Sequence, residues 1–159
     1  MICPMPKPSW SKDLSFVVDI ERGMPARILA SWEAAIRFLD ATLKDQGLEL
    51  YHVYVHWHAD PDLQHYCGVT YLDDKRMAFC SGNDRDTMLH EIAHLKYGST
   101  EHDDKWAAIL FALHKKYLKG KEREKADAEL AKDYKSGARV LKRQQRPQAS
   151  VKRKRSSQR

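Results

Sequence analysis

Residues 87–106 read TMLHEIAHLKYGSTEHDDKW, and the spacing of their histidines narrows the possible folds more than any other feature of the chain. His90, Glu91 and His94 form an H-E-x-x-H, and His102 follows eight positions after His94. On a helix, positions i and i+4 lie one turn apart on one face, so His90 and His94 can aim their imidazoles at a single ion. Glu91 then stands roughly 100° round the helix, beside the ion rather than on it. The spacing therefore offers two ligands for a catalytic zinc and a general base for the water that such an ion activates.

The flanking residues mark the helix. Asn83, Asp84 and Asp86 provide N-caps and negative charge at its start, and Leu89, Ile92 and Ala93 provide a core-facing stripe. Lys96 falls in the last turn, and Gly98 is placed to stop it. Catalytic zinc takes three protein ligands and leaves a position open, so a third donor is required. His102 lies after the Gly98-Ser99-Thr100 turn and before a second helix signalled by Trp106, Ile109, Leu110, Leu113 and Tyr117. Glu101 is the rival ligand, while Asp103 and Asp104 are N-caps or partners of the ligands.

The stretch HEIAHLKYGSTEHDDKW resembles the active-site segment of the small gluzincin-type metallopeptidases, in particular the SprT/Spartan-like and WLM proteins. Their pattern is H-E-x-x-H, a short loop, a third His and an aromatic-led helix, and the resemblance spans residues 65–118. It implies that His90, His94 and His102 bind Zn2+, that Glu91 is the catalytic acid/base, and that the fold is a zincin-like minigluzincin. It also implies a protein substrate, in some relatives one held on nucleic acid. The chain departs from the pattern in having no C-x-x-C pair, which removes the zinc ribbon of some SprT relatives, and in a longer loop before His102 than the WLM pattern has.

Around this segment the periodicities describe an α+β chain. Ile28, Leu29, Trp32, Ala35, Ile36, Leu39 and Leu43 repeat at helical spacing from Pro25 to Gln46, with Gly47 as a stop. Leu48 to Trp57 alternates as a strand with Tyr51, Val53, Val55 and Trp57 on one face, and Tyr66–Leu72 and Arg76–Ser81 read as a hairpin. A further strand is possible at Ser15–Ile20. A helix, a three-stranded sheet, the metal helix against it and a backing helix are the expected layers. Residues 1–120 would form this domain. Residues 121–141 read as a charged, solvated helical extension that leaves the body, interrupted near Gly137, and residues 142–159 as a disordered basic tail.

The formal net charge of +6 comes from that tail. Residues 142–159 carry eight Lys or Arg and no acid, which leaves 20 cations against 22 acids, a net −2, for the rest. Such a tail suits either solubility or a sequence-independent contact with nucleic acid. Three cysteines without paired spacing argue against a disulfide framework, and MICPMPKPSW contains no apolar run, so neither a signal peptide nor a membrane span is expected and a cytoplasmic setting fits.

Other residues invite weighing. His52 and His56 share a strand face and read as a polar sheet face, with a second ion as the alternative; His65 and His114 read as surface residues. Tyr97, Tyr71 and Arg76 are the candidates for stabilising an oxyanion, with Tyr97 preferred. A zinc metallopeptidase is the leading expectation. The alternatives are a metal-dependent endoribonuclease with an H-x-x-x-H plus distal His, and a nucleic-acid-binding adaptor whose structural zinc takes a fourth ligand from Cys67 or Cys80.

Overall fold

The computed structural model describes residues 7–56, 67–80 and 83–146. A short 3-10 turn (Ser9–Asp13) leads into strand β1 (Val17–Ile20), helix α1 (Ala26–Gln46), strands β2 (His52–Val55), β3 (Gly68–Tyr71) and β4 (Arg76–Phe79), and helices α2 (Arg85–Tyr97), α3 (Asp104–Tyr117), α4 (Gly120–Asp133) and α5 (Lys135–Gln145). The architecture is a mixed α+β fold with five α-helices and a four-stranded sheet among the described residues.

The sheet runs β1-β2-β4-β3, with β1, β2 and β4 parallel and β3 antiparallel on β4. It has four strands where three were expected. The added strand is Val17–Ile20, where Val18 and Ile20 are buried and alternate with Asp19. Its partner β2 is parallel and lies beyond the α1 crossover, so the pairing is non-local and only four residues long. The strand expected from Leu48 starts at His52; Val53 and Val55 do point inward, but Tyr51 is exposed and Trp57 lies outside the described residues.

Helix α1 buries Trp32, Ala35, Ile36, Leu39 and Leu43 of the predicted stripe, packs Ile28 and Leu29 half-buried against the core, and ends where Gly47 takes a left-handed φ of 64°. Helix α2 packs against α1, β3 and α3, so the segment carrying the H-E-x-x-H is held on several sides. Among the described residues no helix is long and apolar enough to cross a membrane.

The C-terminal stretch differs most from expectation. Rather than leaving the body, α4 and α5 fold back on α3, burying Ala126, Leu130 and Val140. Gly137 does not interrupt a helix; the break is at Tyr134, and Gly137 sits inside α5 because a Cβ there would meet the Leu130 carbonyl oxygen at 2.2 Å. A thin apolar stripe suffices when two helices approach this closely, and Arg139 and Arg143 add ion pairs to Asp104 at 2.6 and 2.9 Å. Of the basic tail, Lys142–Gln145 complete α5 and residues 147–159 lie outside the described residues.

Candidate metal centre

Local chemistry sets helix α2. The Asp84 carboxylate accepts from the Thr87 amide at 2.8 Å, and Gly98, at φ 74°, closes the other end by donating to the His94 carbonyl at 2.8 Å. Asp103 caps α3 by accepting from the Lys105 and Trp106 amides, each at 3.0 Å. The loop between the two caps turns the chain so that His102 comes back over the face carrying His90 and His94.

The three Nε2 atoms converge. They lie 3.2 Å apart for His90–His94, 3.0 Å for His94–His102 and 3.2 Å for His90–His102. Nitrogens at about 2.0–2.1 Å from a tetrahedral zinc are separated by about 3.3–3.4 Å, so the triangle fits one such ion. The His94 Nδ1–H donates to the Ser99 carbonyl at 2.9 Å, which leaves the Nε2 lone pair of a neutral ring turned toward its neighbours. Burial, with smaller contributions from His94, His102 and His114, lowers the His90 pKa to about 3. Burial lowers that of His94 to about 4 and lowers that of His102 as well. All three are therefore neutral near pH 7, the protonation state a ligand needs. The indole of Trp106, fully buried, forms the floor at 4.8, 5.4 and 4.5 Å from the rings of His90, His94 and His102. This trio could hold a metal ion, and Glu101 is not part of it.

Glu91 is buried on the sheet side of the site. Thr70, on β3, donates its hydroxyl to Glu91 Oε2 at 2.6 Å, and the other oxygen, Oε1, is 4.0 Å from His90 Nε2. Burial raises the carboxyl pKa to about 7, against the opposing effect of the Thr70 bond. Gly68 lets the backbone of β3 pass close: a Cβ there would stand 3.0 Å from both Glu91 Cγ and Oε1. A cavity of about 270 Å³ opens beside these groups, bounded among others by His90, Glu91, Leu130 and Tyr134.

Tyr134, between α4 and α5, brings its ring to 4.8 Å from that of His102 and 4.9 Å from that of Trp106. Its pKa is raised by burial and by the charges of Asp133, Glu91, Asp86 and Cys67. Ser136 donates its hydroxyl to the His102 carbonyl at 2.6 Å, fastening the hairpin to the loop of the third histidine.

The expected oxyanion candidates lie elsewhere. The Tyr97 hydroxyl donates to the Asp103 carboxylate, and Tyr71 and Arg76, a cross-strand pair, stack at 4.4 Å on the sheet face opposite Thr70. His52 pairs with Asp19 at 2.5 Å and His56 stacks on Tyr54, with no second metal-capable group among the described residues. His114 was expected at the surface and is instead fully buried, its ring held 2.8 Å from Asp86 and 2.8 Å from Asp127. Thr70, Gly68 and Tyr134 carried no sequence signal, because each meets the site through contacts at least 20 residues away in the chain.

No protein-family profile matches this chain. No curated protein matches it either. Among solved structures it is similar to a Wss1 mutant from Saccharomyces cerevisiae, with a TM-score of 0.52 and 17% identity, over 67% of this chain and 90% of that one. At that identity the likeness shows a shared α+β fold and nothing finer.

Proposed function

We propose that the chain is a zinc-dependent peptidase of the SprT/WLM type, built on a minigluzincin-like domain, with His90, His94 and His102 as ligands and Glu91 as acid/base. The observation that carries this is the convergence of three neutral imidazoles beside a buried carboxylate whose free oxygen is 4.0 Å from one of them. Zinc bound there supplies Lewis acidity, which makes water a nucleophile near neutral pH and polarises a peptide carbonyl. Glu91 takes the proton of the attacking water and returns it to the leaving amine. Thr70 holds Oε2 and so keeps the opposite oxygen turned to the centre.

A three-His set suits catalysis rather than a closed structural site, which adds a fourth protein ligand. Neither Cys67 nor Cys80 joins the trio among the described residues, which weighs against the adaptor reading. Helix α5 exposes Lys135, Lys142 and Arg143, Arg146 caps it, and the sequence continues with five more cations at 152–155 and 159, which supports a phosphate contact and a protein substrate held on nucleic acid. The few cysteines suit a cytoplasmic setting.

The test is metal analysis and cleavage assays on the wild type and Glu91→Gln. One zinc per chain is expected in both, with protein cleavage lower by roughly 100-fold or more in the variant. Undiminished cleavage by Glu91→Gln overturns the reading, and RNA cleavage that the substitution leaves intact points to the endoribonuclease instead. Removing residues 147–159 should flatten the salt dependence of nucleic-acid binding without changing zinc content.

A further inference from the structure

We propose that Tyr134 is a catalytic residue, the hydroxyl donor that stabilises the oxyanion formed when a peptide carbonyl is attacked; the inference rests on the peptidase reading above. Glu91 accounts for the proton of the water, but the carbonyl oxygen gains charge in the same step and needs a donor already in place. Tyr97 donates to Asp103, and Tyr71 and Arg76 lie on the sheet face opposite Thr70, away from the cavity. Of the described tyrosines, Tyr134 is the one that lines the cavity with His90 and Glu91.

Its position is built rather than incidental. Tyr134 is the single extended residue joining α4 to α5, at φ −127° and ψ 127°. Gly137 sets α5 directly on the Leu130 carbonyl, and Ser136 fastens the same turn to the carbonyl of His102. The ring is gripped by His102 and Trp106, while no hydrogen bond among the described residues engages its hydroxyl. A fixed ring that lines the cavity with the general base, its O–H uncommitted among the described residues, is what a preorganised donor requires.

In the step, the water oxygen bonds to the scissile carbon and the C=O π pair moves onto the carbonyl oxygen. Tyr134 donates a hydrogen bond to that oxygen and keeps its proton. As the C–N bond breaks, its electron pair stays on nitrogen and takes up the proton carried by Glu91.

Tyr134→Phe keeps the ring and removes only the O–H. The variant should retain its zinc and its unfolding midpoint, with KM within about twofold and kcat lower by roughly 100-fold. Its affinity for a peptide phosphinate, a tetrahedral mimic measured by calorimetry, should fall by a comparable factor, while affinity for an uncleaved peptide, measured in the Glu91→Gln background, stays the same. Unchanged kcat and phosphinate affinity overturn the proposal, as does a loss of kcat that merely tracks lost zinc or a lowered unfolding midpoint. A wild type that neither cleaves peptides nor binds the phosphinate defeats the peptidase reading itself; a wild type that cleaves, with Tyr134→Phe unimpaired, defeats this inference alone.

Discussion

Helix α2 carries its chemistry in neighbouring residues, His90, Glu91 and His94, whereas the α4–α5 hairpin carries its own in Tyr134 and Ser136, which acquire meaning only after folding back onto His102. The first region depends on helical geometry and two caps, all written within 20 residues. The second depends on one glycine, a few small apolar side chains and two arginines reaching a single aspartate. A metal site can thus be local in sequence while the wall that completes it is not.

The largest expected effect falls on the local region. His94→Ala removes a ligand and the bond to the Ser99 carbonyl that orients it, so the variant should lose stoichiometric zinc, with affinity reduced by more than about 100-fold. A metal titration decides this, and undiminished retention would mean that the trio is not the ligand set.

Next comes the residue the two regions share. Trp106 is fully buried beneath the three histidines and against Tyr134, so Trp106→Ala should cost about 3–5 kcal/mol in urea unfolding. A loss below about 1 kcal/mol would show that the histidine rings and the hairpin are not supported by a common floor.

A smaller change should separate the regions. Gly137→Ala drives a Cβ into the Leu130 carbonyl and should destabilise the chain by about 1–3 kcal/mol. Hydrogen exchange should accelerate in α4 and α5 with α2 unaffected and zinc retained. Equal acceleration in α2 would show that the metal helix and the α4–α5 hairpin open as one unit.

The same contrast explains what could be read in advance. The H-E-x-x-H, its Asp84 and Gly98 caps and the stripe of α3 are short-range patterns, legible because helix period and capping act within one or two turns. Strand β1 was only a possibility because its partner lies across a whole helix. The α4–α5 hairpin is not legible because the dense charge of residues 121–141 resembles a solvated helix, and nothing in the spacing of Ala126, Leu130 and Val140 reveals the α3 surface they cover. His114 was misplaced for a similar reason: its two aspartate partners sit 28 and 13 positions away.

That histidine provides the smallest and most discriminating test, because it ties the two regions together. Its Nε2 faces Asp86 on α2 and its Nδ1 faces Asp127 on α4, so both nitrogens find carboxylates when the ring is an imidazolium. Burial pulls its pKa down, but the hydrogen bonds and charges of Asp86 and Asp127 prevail and raise it above 6.5. Arg123, 3.5 Å from Asp127, and Phe111, edge-on at 6.4 Å, complete its surroundings with the neutral His90. A folded pKa above the unfolded value means that the contribution is full below about pH 6.5 and is lost as pH rises through the folded pKa. Urea unfolding of the metal-free protein from pH 6 upward should therefore show wild-type stability declining relative to His114→Gln, which cannot titrate. His90 and His94 titrate near 3 and 4 and His102 below its usual value, while Glu91, near 7, titrates alike in both proteins and cancels in the comparison. Parallel curves for the two proteins would show that His114 is held neutral. A decline accompanied by earlier hydrogen exchange in α4 than in α2 would show that this buried ion pair is what latches the hairpin to the metal helix.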